Sequence, residues 1–116
     1  MILPTNKGLS LEQRRLIADW AATKPLIAKI YLYGSRARET HQPDSDVDLA
    51  IVTVGKDAGE AWGHFAFEKA GWKEELQQLL HEAVQLETPD FRLDRKVGPG
   101  VLKDGQLLYS KGSNTR

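Results

Sequence analysis

Residues 31–51 read YLYGSRARETHQPDSDVDLAI, and the fold turns on how this stretch divides. Tyr31, Leu32 and Tyr33 close a run of β-forming residues that begins at Leu26, so a strand is expected over Leu26–Tyr33. Gly34-Ser35 ends it. Thr40–Ser45, with Pro43 and Asp44, has the composition of a loop. Asp46–Val54 reads as a second strand, apolar at most positions and therefore largely buried.

Three features of this stretch carry chemistry. A glycine after a strand lets an anionic group approach the backbone closely. Backbone N–H groups and the Ser35 hydroxyl, at a point where a helix can start, can then hold phosphate oxygens. Arg36 and Arg38 follow at once and can neutralise phosphate charge. Asp46 and Asp48 are two apart on the expected strand, and period two sets both carboxylates on one face. Paired hard oxygen donors suit magnesium, which binds through few carboxylates together with substrate phosphates.

Outward from this centre, helix and strand alternate. Ser10 is a good N-cap with Gln13 three residues later, the pattern of a capping box. Leu11, Leu16, Ile17, Trp20 and Ala21 give the helix an apolar stripe, and Pro25 limits it. Glu60–Ala83 is helical in character, with Gly63 and Gly71 expected to divide it. Its clearest part is Trp72–His81, with Trp72, Leu76, Leu79 and Leu80 on one face. Val84–Glu87 and Leu107–Tyr109 are short strand candidates, Phe91–Val97 reads as one or two helical turns, and Gly98-Pro99-Gly100 interrupts it. The alternation indicates an α/β layered domain.

Gly34-Ser35-Arg36-Ala37-Arg38, followed by Ser45-Asp46-Val47-Asp48-Leu49, resembles the signature of the DNA polymerase beta-like nucleotidyltransferase superfamily. Within it, the chain is most similar to the bacterial minimal nucleotidyltransferases. The resemblance implies an α/β fold with a short mixed sheet and packed helices. It also implies transfer of a nucleoside monophosphate from a nucleoside triphosphate to an acceptor, with release of pyrophosphate. Asp46 and Asp48 would hold two magnesium ions, Gly34 and Ser35 the distal phosphates, and Arg36 and Arg38 the departing pyrophosphate.

The family also carries a third carboxylate on a later strand. Many relatives have Asp where Gln85 stands. In others the acid corresponds to Glu87, which shares a face with Gln85 by period two. Glu87 is therefore expected to complete the metal site and assist deprotonation of the acceptor. Glu39 is a second departure, since relatives usually have glycine there. Larger relatives append a domain for the acceptor. Here the acceptor site is expected from a partner or a second copy, and relatives of this kind are similar to antitoxins that nucleotidylate a small helical HEPN toxin. The competing reading is a catalytically weak module that binds nucleotide or partner, and Gln85 favours it.

Composition sets bounds on these readings. The 116 residues suit one domain, residues 1–116, with 110–116 expected as a flexible tail. Lys plus Arg and Asp plus Glu number 16 each, so bulk attraction to DNA or an anionic membrane is disfavoured. Cysteine is absent, which excludes disulfides and thiolate zinc sites. The N-terminus lacks a signal-peptide pattern, so a cytoplasmic protein is expected. His41, His64 and His81 have no metal-ligand spacing. Trp62, Phe65, Phe67 and Trp72 are expected in the core or at an interface, and their density beside glycines suggests a partner surface.

Overall fold

The computed structural model describes residues 9–34, 36, 46–88 and 105–111. The elements run in the order α1 (Leu11–Ala22), β1 (Ile27–Tyr33), β2 (Val47–Thr53), α2 (Ala58–Leu80), β3 (Val84–Glu87) and β4 (Gln106–Ser110). The strands form one mixed sheet in the order β3-β2-β1-β4. β1 is antiparallel to both its neighbours, and β3 runs parallel to β2. This is the expected α/β fold with a short mixed sheet and packed helices.

α1 starts where its caps require. The Ser10 side chain accepts from the Gln13 N–H, and the Gln13 side chain accepts from the Ser10 N–H, both at 3.0 Å. Ile17 and Ala21 are fully buried, with Leu16 and Trp20 packed beside them. Leu11 is 52% exposed. At 100° per residue it lies roughly 120° around the helix from Ile17, off the buried stripe.

α2 departs from expectation. Gly63 and Gly71 do not divide it, and it runs unbroken for 23 residues. Each interior glycine costs about 1 kcal/mol relative to alanine, which packing readily outweighs. Phe65, Trp72, Leu76 and Leu80 supply that packing, all buried in the core. The helix opens at Asp57, whose carboxylate accepts from the Glu60 N–H at 2.8 Å. It closes at His81, in the left-handed region at φ 58°, whose N–H donates to the Gln77 carbonyl.

One face of the sheet meets both helices. Ile27, Ile30, Leu32, Val47, Leu49, Ile51, Val84 and Leu86 are fully buried there against α1 and α2. The helices also meet each other. Trp20 and Trp72 make an edge-to-face contact at 6.2 Å. The Trp20 indole N–H donates to Glu75, and Lys24 pairs with the same carboxylate, both at 2.8 Å. On β4, Ser110 pairs with Lys29 as the last strand residue. Phe91–Val97 and Gly98-Pro99-Gly100 lie outside the described residues.

The topology creates one crowded sheet end. β1 finishes at Tyr33, β2 begins beside it at Val47, and β3 begins beside that at Val84. The Val47 N–H donates to the Ala83 carbonyl at 2.8 Å and locks the start of β2 to the segment entering β3.

Candidate active site

At that sheet end the register lines up Tyr33, Asp48 and Gln85 across three strands. Asp46 and Asp48 flank Val47, which is fully buried on the helix side. The two aspartates are half-buried, on the sheet face turned away from the helices. Gln85 completes the group: its side-chain N–H donates to the Asp46 carboxylate at 3.1 Å.

Gly34 abuts these carboxylates. Its φ is +77°, a conformation L side chains rarely adopt. A Cβ built on it would run into the Asp48 carboxylate, with an oxygen in collision and Cγ at 3.2 Å. Glycine is therefore required twice over, for the turn and for the approach of Asp48 to the backbone. Ser35 and Arg38 lie outside the described residues.

Glu87 lies one strand repeat beyond Gln85. Its register partner is Ala50, and its carboxylate is 3.8 Å from the Lys69 ammonium of α2. Among the described residues, no three Asp, Glu or His side chains stand together. The structure thus brings Asp46, Asp48 and Gln85 together and sets Glu87 beside Lys69.

Arg36 is 5% exposed, and its guanidinium donates to Glu82 at 3.1 Å. The other oxygen of Glu82 accepts from the Gln13 side chain at 3.2 Å. This chain of contacts ties the segment after Gly34 to the turn between α2 and β3 and to the cap of α1. Neither Glu82 nor the second role of Gln13 was visible in local sequence. Both contacts join residues far apart in the chain, and no spacing rule announces them.

The donor set can be judged on its chemistry. Two carboxylates and an amide oxygen are hard ligands of the type magnesium takes alongside phosphate oxygens. The amide supplies one fewer charge than a third carboxylate would. The residues present fit a divalent cation that arrives with a polyanionic ligand.

The fold and this site define a nucleotidyltransferase domain. The polymerase beta nucleotidyltransferase family matches residues 16–114, and the chain belongs to it. Its fold is similar to that of a toxin–antitoxin solved with AMP-PNP, with 24% identity and a TM-score of 0.58 over 86% of this chain and 74% of that one. Two mutants of the MntA-HpeT toxin–antitoxin are similar at 22% and 23% identity, with TM-scores of 0.57 and 0.56. They cover 86% and 87% of this chain, and 74% of each of those chains is covered. No curated protein sequence matches the chain. Among the described residues, no helix is long and apolar enough to cross a membrane.

Proposed function

We propose that this domain binds a nucleoside triphosphate with magnesium at the β1–β2–β3 sheet end and transfers the nucleoside monophosphate to an acceptor hydroxyl. The observation that carries this reading is the packing of Asp48 against Gly34, with Asp46 beside it. That places a carboxylate pair against a turn the backbone of which an anion can approach. Asp46 and Asp48 are the magnesium ligands. When bound, two such ions stabilise the attacking and leaving oxygens of an in-line displacement. Gly34 and Ser35 present backbone and hydroxyl donors to the distal phosphates. Arg38 offsets pyrophosphate charge. Arg36, buried and paired with Glu82, holds the segment after Gly34 in place.

The third position decides how well such a domain turns over. Gln85 occupies the register place beside Asp48 and lacks the charge of an acid. Glu87 supplies the missing carboxylate only by leaving Lys69 and reaching back along the strand. As a base, it takes the acceptor proton.

The fold neighbours are toxin–antitoxin proteins, and the acceptor we favour is a hydroxyl on a small helical toxin of the HEPN type. The hydrogen bond from Gln85 to Asp46 favours a second reading: a nucleotide-binding regulatory module in which transfer is slow.

One assay separates these readings. Labelled nucleotide transfer to the genomically neighbouring protein is measured for wild type, Glu87→Gln and Gln85→Asp. The enzyme reading predicts transfer by wild type, near-complete loss in Glu87→Gln and retained or raised turnover in Gln85→Asp. Transfer by Gln85→Asp alone would establish the regulatory reading. Full activity in Glu87→Gln would remove Glu87 from the site.

A further inference from the structure

Glu82 joins the two halves of the sheet end. One oxygen of its carboxylate accepts from the Arg36 guanidinium at 3.1 Å, and the other accepts from the Gln13 side chain at 3.2 Å. Arg36 is two residues past Gly34. The residue after Glu82 is Ala83, whose carbonyl accepts from the Val47 N–H, between Asp46 and Asp48. Two consecutive residues thus grip the Gly34 turn and the aspartate strand. Their own backbone is pinned from α2. The Gln77 carbonyl accepts from the His81 N–H at 2.8 Å, and the Gln77 side chain accepts from the Val84 N–H at 3.0 Å. Glu82 therefore stands on chain that is anchored on both sides.

The surroundings of Arg36 decide what this contact does. Its side chain is 6% exposed, whereas both partners of the Lys69–Glu87 pair are open to water. A surface pair of that kind is lost at little cost. Removing the acid from a buried guanidinium leaves a charge without its counter-charge, and the guanidinium then gains by moving out to water. Arg36 is two Cα steps from Gly34, at most about 7.6 Å, so such a move carries the Gly34 turn with it. That turn has little freedom where it stands, because a Cβ on Gly34 would already collide with the Asp48 carboxylate.

We infer, on the reading of this sheet end as a triphosphate site, that Glu82 is the positioning residue for the distal phosphates. It acts through Arg36 and not by contact with the nucleotide. Gln13 holds one oxygen of Glu82, so the other is presented to Arg36 in a fixed direction. The Gly34 turn is then set against Asp48 before any ligand arrives, and binding costs less ordering of the chain.

Calorimetric titration of the full chain with magnesium ATP and with magnesium pyrophosphate tests this role. Glu82→Ala should weaken both ligands by the same factor, at least about tenfold. Glu82→Gln keeps an acceptor for the guanidinium but loses the charge, and should weaken both severalfold. If Glu82→Ala does not fold by circular dichroism, Glu82→Gln alone decides. Asp57→Ala is the control for stability, since it removes the N-cap at the far end of α2. Its affinities should stay within about twofold of wild type. Wild-type affinity in the Glu82 variants would overturn the assignment, as would an equal loss in Asp57→Ala at matched stability. Weakened ATP binding with pyrophosphate binding intact would put the effect at the nucleoside and overturn it too. Absence of binding by wild type is a separate failure, because it removes the triphosphate reading of the sheet end and this role of Glu82 with it.

Discussion

Gly34 and Gly63 are the same residue type under opposite constraints. At Gly34 the backbone is left-handed and the space beside Cα is filled by the Asp48 carboxylate. At Gly63 the backbone is helical and the space beside Cα is open. The first glycine is demanded from within, by the closeness of the Asp48 carboxylate to the chain. Among the described residues, the second has no internal reason. A glycine therefore reads as part of a site only when its surroundings are known, and the same letter marks a packed turn in one region and a bare helix face in another.

Substitution to alanine separates the two regions. Gly34→Ala should show the largest effect. Left-handed strain costs about 1–2 kcal/mol, and displacement of the packed Asp48 carboxylate adds a further cost of about 1–3 kcal/mol. Denaturant unfolding measures the loss, and triphosphate binding should fall with it. Unchanged stability would mean that Asp48 does not pack on Gly34. Gly55→Ala comes next. Its Cβ would meet the Ala61 backbone, with N at 2.6 Å and Cα at 2.9 Å. The expected cost is about 1–3 kcal/mol, read in the same way.

Gly63→Ala should have the reverse sign. It should stabilise by up to about 1 kcal/mol through helix propensity. Destabilisation there would show that the chain itself uses the open space. The smallest effect lies on the inward side of α2. Hydrogen bonds from Lys24 and Trp20 hold the Glu75 carboxyl below its ordinary value of 4.5. A depressed carboxyl stabilises the fold above its unfolded pKa, and the contribution is lost as pH falls through the lower folded value. Glu75 is about half exposed, so screening limits the effect to about 0.5 kcal/mol. Stability difference curves between wild type and Glu75→Gln should be flat at neutral pH and converge below about pH 4 as the carboxylate protonates. Parallel curves throughout that range would remove the coupling.

Local sequence made much of this fold legible. The capping box of Ser10 and Gln13, the β-rich run into Tyr33 and the aspartate pair each rest on neighbours a few residues away. Their elements lie close to the expected boundaries: β2 spans Val47–Thr53 where Asp46–Val54 was expected, and β4 spans Gln106–Ser110 where Leu107–Tyr109 was expected. The continuity of α2 was not legible, because the buried Phe65 and Trp72 outweigh two glycines only once the sheet is in place. The relation of Gln85 and Glu87 to Asp48 was half legible. Period two sets both on one face, but which of them stands beside Asp48 is fixed by the parallel register of β3 on β2. The burial of Arg36 depends likewise on Glu82, which approaches only through the tertiary fold.

We propose above all that Asp46 and Asp48 hold a divalent cation together with the phosphates of a nucleotide. Calorimetric titration of wild type and Asp48→Asn with ATP, GTP, CTP and UTP tests it directly, each with magnesium and with chelator. Wild type is expected to bind triphosphate only when magnesium is present. Asp48→Asn is expected to lose that binding, with circular dichroism unchanged. Equal heats with and without metal, or unchanged affinity in Asp48→Asn, would contradict it.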